Sequence, residues 1–269
     1  GGLALVDGEH RNAINDFRDV LRKEPAQERA HYLLARTHLQ AGDKVLAKDA
    51  YRRVLEINPD NRVATMELAQ ILFADKQYAA AESLLRSRLV IAPSDARASQ
   101  MLIGLLVNDE EYVTAETEAR RLLAVTDESA LADYLLGSVL QIQGKSKPAM
   151  EYFIKALEQA PDSPEALQGY VAGLIDTQGQ AATVRYLKAH VKKYPDQLHA
   201  SALLSQVQTG LGDTQGAEQT LKAALEKNEA WLPAYTGLAS MQAGDIGKQI
   251  EIFEEGMQAI PGNQQLGLL

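Results

Sequence analysis

The sequence contains no cysteine, which excludes disulfide bonds, thiol chemistry and cysteine-ligated zinc. Aromatic residues make up only 6% of the 269 residues, and tryptophan occurs once. No run of about 18 apolar residues is present, so no segment is expected to span a membrane. Basic residues are also scarce, because 27 lysines and arginines stand against 36 acidic residues. The resulting net charge of −9 argues against a nucleic-acid-binding protein.

Motifs of catalysis and of cofactor or metal binding are absent from the sequence as well. The five histidines form no His-Glu-x-x-His pattern, and no glycine-rich phosphate loop or nucleophile elbow occurs. His31 and His38 share one predicted helix face, but they occupy positions that the sequence elsewhere fills with packing residues. We therefore expect no enzyme, no catalytic residues, no cofactor and no bound metal.

What the sequence does have is a regular period of 34 residues. Prolines recur at this period, or at twice this period, at Pro25, Pro59, Pro93, Pro161 and Pro195. Between them, apolar residues recur at three- and four-residue steps, a pattern that predicts amphipathic helices and not strands. The clearest copy is 133–161, in which Gly144 separates two such runs. Because a fixed period in this range indicates a repeat architecture, we expect one elongated array of helix hairpins.

The period divides the chain into repeats with defined bounds. A partial repeat covers 1–27. It is followed by six full repeats, a shortened repeat and the start of a further helix, at 28–61, 62–95, 96–129, 130–163, 164–197, 198–231, 232–263 and 264–269. Both ends fall inside a repeat, which leads us to expect a piece of a longer array. Together the repeats are predicted to form a single array over residues 1–269.

Small and large residues keep the same spacing within the repeats. Ala149 is followed four residues later by Phe153, and Leu136 and Gly137 form a leucine–small pair in the first helix. With the closing proline and the 34-residue period, these features resemble the tetratricopeptide repeat over nearly the whole chain. The resemblance implies an all-α fold, a right-handed superhelical α-solenoid of stacked antiparallel helix hairpins. Stacking is also a physical requirement, since one hairpin alone cannot bury its apolar faces.

The resemblance also implies where a partner would bind. In this family the first helix of each hairpin lines a concave groove. Carrying its positions over gives a set that we call the groove residues: Arg29, Tyr32, Arg36, Met66, Gln70, Phe73, Arg97, Gln100, Tyr134, Ser138 and Gln141. Arginine and tyrosine are residue types that anchor protein interfaces. The clamp by which some family members grip the acidic tails of heat-shock chaperones is missing, because Tyr32 and Arg36 stand where it needs lysine and asparagine.

These observations favour a non-enzymatic scaffold that binds a protein or peptide segment in the groove. The alanine- and glutamine-rich helices favour a larger bacterial assembly of the cell envelope or of exopolysaccharide secretion as its setting. An alternative is a regulatory or substrate-recruiting arm of an enzyme, for example a glycosyltransferase, whose catalytic domain lies outside this chain. A polysaccharide partner ranks below a protein partner and would stack on Tyr32, Phe73 and Tyr134. No nucleic-acid partner is expected.

Overall fold

The fold is all-α in the computed structural model of the chain, which describes residues 2–127 and 129–261. Within these ranges no strand occurs, and the predicted fold class of stacked helix hairpins is confirmed. In chain order the helices are α1 (Gly2–Lys23), α2 (Glu28–Gln40), α3 (Lys44–Ile57), α4 (Arg62–Ala74), α5 (Tyr78–Ile91), α6 (Ala96–Asn108), α7 (Tyr112–Val125), α8 (Ala130–Ile142), α9 (Ser146–Gln159), α10 (Pro164–Gln178), α11 (Gln180–Lys193), α12 (Leu198–Gly210), α13 (Thr214–Leu225), α14 (Leu232–Met241) and α15 (Ile246–Ala259). The expected helix at 264–269 lies outside the described residues.

The even-numbered helices from α2 to α14 are the first helices of successive hairpins. They begin at 34-residue steps, at positions 28, 62, 96, 130, 164, 198 and 232. The odd-numbered helices from α3 to α15 are the second helices. The period that the prolines mark in the sequence therefore reappears as the spacing of the helix starts.

The described helices form two compact units. The first unit ends at Leu135 and contains α1 to α7 with the beginning of α8, and the second unit starts at Leu136. In the first unit each helix from α1 to α6 packs against the next helix along the chain, and in the second unit each helix from α9 to α14 does so. In the second unit the first helices α10, α12 and α14 also contact one another in turn. Each hairpin thus covers the apolar face of its neighbour, as a repeat architecture requires.

The starts of several first helices are fixed by capping side chains. The Asn61 side chain accepts a hydrogen bond from the backbone N–H of Ala64 at 2.8 Å. The Ser163 hydroxyl oxygen accepts one from Ala166 at 3.2 Å, and Pro164 is the first helical residue after it. Such caps satisfy backbone N–H groups that the first turn of a helix leaves without a partner, and proline is tolerated there because its missing N–H would not be used.

Close helix packing in the second unit depends on glycines that face large side chains. Phe153 of α9 is 1% exposed. A Cβ atom placed on Gly137 of α8 would lie 2.9 Å from its Cε1, and one placed on Gly169 of α10 would lie 2.6 Å from the same atom. Gly173 faces Met150 in the same way, with 2.5 Å to Cγ. These glycines therefore let the backbones of α8 and α10 approach α9 closely.

The turns inside the hairpins need a left-handed backbone conformation. Gly42, Gly144 and Gly212 take it with φ of 82°, 75° and 80°, a region that glycine adopts without steric cost. In the hairpins α4–α5 and α6–α7 the same place is held by Lys76 and Glu110, with φ of 57° and 59°. Residues with a Cβ atom are strained there, so these two turns store unfavourable energy that the glycine turns do not.

We expect Gly137→Ala to destabilise the second unit by about 1–3 kcal/mol, since the new methyl group would overlap the Phe153 ring and force it to shift. Gly104→Ala is the matched control, because a Cβ atom on this glycine of α6 would meet nothing within 4 Å. The control should stabilise by about 0.5–1 kcal/mol through its better helix propensity. Urea unfolding followed by circular dichroism measures both. Equal effects of the two substitutions would show that the approach at Gly137 is not tight.

Lys76→Gly is expected to stabilise the first unit by about 0.5–1 kcal/mol, because glycine adopts positive φ without strain and this gain exceeds its entropic cost. The reverse change, Gly42→Lys, places a Cβ atom in the equivalent turn and should destabilise by a similar amount. Thermal and urea unfolding of both variants measure whether the free energy of unfolding rises in Lys76→Gly and falls in Gly42→Lys. A loss of stability in Lys76→Gly would contradict the strain.

Candidate functional site

The groove residues of the first unit lie on α2, α4, α6 and the beginning of α8. Six of them are exposed, namely Arg29, Arg36, Gln70, Phe73, Arg97 and Gln100. Tyr32 and Tyr134 are half-buried. Met66 is 7% exposed, so most of its side chain lies in the core and little is left for a partner. Phe73 also contacts the ring of Tyr78 on α5, with centroids 5.4 Å apart.

The two remaining groove residues belong to the second unit. Ser138 and Gln141 are both half-buried on α8. Sequence reasoning placed them with the others on one surface. The candidate site around Glu67, in contrast, consists of residues of the first unit.

A carboxylate in the first unit receives hydrogen bonds from two tyrosines. Tyr32 of α2 donates to Glu67 Oε1 of α4 at 3.1 Å, and the hydroxyl of Tyr51 on α3 donates to Glu67 Oε2. Burial and the hydrogen bond to Glu67 raise the pKa of Tyr51. Burial, followed by the charge of Glu67, raises the pKa of Tyr32. Both phenols therefore stay protonated at neutral pH and act as donors that connect α2 and α3 to α4.

A cavity of about 430 Å³ opens beside this carboxylate. It is bounded by α2, α4 and the start of α3, and its lining includes Glu67 and the groove residues Arg36 and Gln70. The guanidinium carbon of Arg36 lies 6.0 Å from the centroid of the Tyr32 ring, which is within the range of a cation–π contact. The structure thus brings Tyr32, Arg36 and Gln70 together around Glu67.

The arginines of the first unit differ in whether they form ion pairs. On the first helices, Arg62 of α4 pairs with Asp95 at 3.3 Å. All arginines on α3, α5 and α7 form ion pairs with carboxylates: Arg52, Arg53, Arg86, Arg88, Arg120 and Arg121. The exposed groove residues Arg29, Arg36 and Arg97 instead lie within ion-pair distance of no carboxylate in the part of the chain that the structure describes. A guanidinium in this state keeps its planar set of N–H donors available for the carboxylate of another molecule.

No cluster of metal ligands is found in residues 2–127 and 129–261, where three or more His, Cys, Asp or Glu side chains nowhere converge. His31 Nε2 lies 2.9 Å from the carbonyl oxygen of Pro25. His38 is buried, and this burial lowers its pKa. His31 is thus placed to hydrogen-bond to the backbone, and His38 packs in the core. Among the described helices, none combines the length and the apolar character that crossing a membrane would demand.

Sequence reasoning missed Glu67 and Tyr51 as parts of the site. Glu67 follows a groove position by one residue, and helical periodicity does not show that two hydroxyls converge on it. A signal was nevertheless available in the repeat register. Tyr51 stands at the large-residue position of its second helix, where another repeat has Phe153. A tyrosine buried in that position needs a hydrogen-bond partner for its hydroxyl, and the neighbouring first helix has to supply it.

Comparison with known proteins identifies the repeat. Family models described as tetratricopeptide repeat match residues 4–65, 45–102 and 134–163. The matched segments include α2 to α5 and the first half of α6, and these carry the cavity and the arginines Arg29, Arg36 and Arg97.

Solved structures share the fold at low sequence identity. Yeast Tom70 matches with a TM-score of 0.63 and 17% identity over 97% of this chain and 59% of its own. The C-terminal part of a TPR repeat-containing protein from Cytophaga hutchinsonii matches with a TM-score of 0.58 and 16% identity, over 87% and 98% of the two chains. PilW, described as a widely conserved type IV pilus biogenesis factor, matches with a TM-score of 0.55 and 19% identity, over 78% of this chain and 98% of its own. At such identities these matches establish the fold alone.

Glu67→Ala is expected to destabilise the first unit by about 1–3 kcal/mol, because the buried hydroxyl of Tyr51 loses its acceptor. Adding Tyr51→Phe to this variant should recover part of the loss, since it removes the buried hydroxyl of Tyr51 that would otherwise lack an acceptor. Urea unfolding of the wild type, both single variants and the double variant completes a double-mutant cycle. Strictly additive effects would mean that the Tyr51–Glu67 hydrogen bond contributes nothing to stability.

Proposed function

We propose that this chain, in which residues 4–102 and 134–163 match tetratricopeptide repeat models, is a non-enzymatic scaffold whose first unit binds an acidic segment of a partner protein. Such repeat proteins are generally non-catalytic, and their fold typically binds protein or peptide segments. The proposed binding surface is formed by Arg29, Tyr32, Arg36, Gln70 and Arg97 on α2, α4 and α6.

The observation that carries this proposal is that Arg29, Arg36 and Arg97 form no ion pair in the described part of the chain, whereas most other arginines of the first unit do, including Arg62 on the first helix α4. Every arginine on α3, α5 and α7 is neutralised by a carboxylate of its own chain, whereas Arg29, Arg36 and Arg97 are exposed without one. Arg29 and Arg97 hold the same position in their repeats, two repeats apart. Unpaired guanidinium groups that recur along one series of helices match a segment with several carboxylates, because each pair can form two parallel hydrogen bonds.

The cavity beside Glu67 supports the same partner. Arg36 is held against the Tyr32 ring, and Tyr32 is in turn held by its hydrogen bond to Glu67. A side chain that is ordered before binding loses less conformational entropy when the partner arrives. In this arrangement Arg36 would contact a partner carboxylate, while the Gln70 amide at the cavity wall would bond to the partner main chain.

We place this scaffold in a larger bacterial assembly, of the cell envelope or of exopolysaccharide secretion. The composition of the helices, which are rich in alanine and glutamine, favours this setting over that of a chaperone adaptor, for which the clamp residues are missing.

The double substitution Arg29→Ala with Arg36→Ala should weaken binding to an acidic peptide by about tenfold or more, since charge-assisted hydrogen bonds contribute about 1.5–3 kcal/mol each. The probe is the most enriched acidic peptide from a random 12-residue display library selected on the wild type, labelled for fluorescence anisotropy. The unfolding free energy should change by no more than about 0.5 kcal/mol, because both side chains are exposed.

Arg52→Ala with Arg53→Ala is the matched control, which removes the same charge from α3, where both arginines are paired within the helix. It should leave the affinity nearly unchanged. If both double variants weakened binding equally, the loss of affinity would come from the change in net charge and not from the groove. A library selection that enriches no acidic peptide would refute the proposed partner.

A further inference from the structure

The second unit contains a cavity of about 530 Å³ that the groove residues do not touch. It lies between the second helices α9 and α11, with Tyr170 of α10 in its lining. Leu157 and Pro161 supply apolar surface on one side, and Tyr186, His190 and Tyr194 supply rings on the other. A cavity of this size and mainly apolar character is typical of a binding pocket.

Four rings follow one another along this cavity. The centroids of Tyr170 and Tyr186 are 4.8 Å apart in an edge-to-face arrangement. Tyr186 and His190 are 5.8 Å apart, and His190 and Tyr194 are 4.9 Å apart. These distances are those of interacting aromatic pairs. The rings therefore form a continuous, mutually supported wall and not four independent side chains.

The repeat register shows that this wall is peculiar to one repeat. The position of Tyr170 holds leucine in the others, at Leu34, Leu68, Leu102, Leu136, Leu204 and Leu238. The position of His190 holds Val54, Arg88, Leu122, Ala156 and Ala224, and that of Tyr194 holds Asn58, Ala92, Thr126, Ala160 and Asn228. Stacking of hairpins does not require aromatic residues at these three positions. Their presence together in repeat 164–197, around one cavity, therefore points to a ligand.

The electrostatics of the cavity decide what kind of ligand fits. Burial raises the pKa of Tyr186 to about 12 and lowers the pKa of His190, so the wall is uncharged at neutral pH. A cation stacked on these rings is disfavoured. Lys193 Nζ already lies 4.9 Å from the centroid of the Tyr194 ring and would repel a second positive charge there. The exposed Glu158, at the cavity edge, has no ion-pair partner in the described part of the chain.

We propose that this cavity binds an aromatic side chain of a partner polypeptide, with a neighbouring lysine or arginine of that partner on Glu158. An aromatic ring matches the wall through edge-to-face and stacked contacts, and it displaces water from the Leu157 and Pro161 surface. A sugar ring would stack as well, but its hydroxyl groups would face mainly apolar surface and lose their hydrogen bonds with water. This site is separate from the groove residues and does not depend on their proposed role.

Saturation-transfer NMR with N-acetyl-Trp-Lys-amide as the probe tests the site. We expect transfer to the indole protons with the wild type and clearly less with N-acetyl-Ala-Lys-amide. Tyr170→Leu, which restores the residue of the other repeats, should weaken binding by about 2–10-fold. Glu158→Lys, a change on the exposed edge, should also weaken it, whereas Arg29→Ala with Arg36→Ala should leave it unchanged. Thermal unfolding confirms that each variant is folded.

The remaining outcomes overturn the inference. No transfer to the indole protons at 10-millimolar-scale probe, on the order of the weakest useful affinities, would mean that no aromatic group is bound. Transfer that is equal in the wild type, Tyr170→Leu and Glu158→Lys would place the probe elsewhere. Binding of choline or cellobiose in place of the dipeptide would assign the cavity to a cation or a sugar. None of these results bears on the acidic segment, which is tested separately.

Discussion

The packing of the second unit depends on the close approach between large side chains of second helices and small residues of the first helices beside them. Phe153 between Gly137 and Gly169 is the clearest case, and Tyr51 is likewise fully buried. If a methyl group were added at such a contact, the helices would have to move apart, since protein interiors hold few voids that could absorb it. Because each hairpin touches only its neighbours, such contacts, at Phe153 and again between Leu221 and Gly237, set the helix spacing of the second unit.

The candidate site follows from this packing and not from a separate motif. Tyr51 fills the large-residue position of its repeat, yet its hydroxyl reaches Glu67 on the next first helix. Glu67 also accepts a hydrogen bond from the Tyr32 hydroxyl, and the Tyr32 ring makes a cation–π contact with Arg36. The core residue Tyr51 is therefore coupled to the exposed Arg36 through two side chains, Glu67 and Tyr32, so that the position of the guanidinium depends on the stacking of the hairpins.

The sequence predicted the fold well because the period, the apolar spacing and the turn residues all indicate the same hairpins. It predicted less of the site, because periodicity places a residue on a helix face but does not show how far its neighbours cover it. Met66 has the right position and is nevertheless buried. The turns at Lys76 and Glu110 fall in the 34-residue register of Gly42 and Gly144, so their place was predictable, but neither residue type signals the positive φ that it adopts.

An acidic partner for a chain of net charge −9 raises the question of repulsion. Charges separated by more than about 8 Å are largely screened at physiological ionic strength, so the excess of carboxylates elsewhere has little effect at the site. What a bound segment meets is the local charge, and there the paired arginines contribute little, while Arg29, Arg36 and Arg97 form no ion pair within the described residues. Glu67 lines the same cavity as Arg36, so a partner carboxylate would have to approach the guanidinium from the side away from Glu67. Specificity in this scaffold would come from the contrast between neutralised and free arginines, a property that net charge and composition do not reveal.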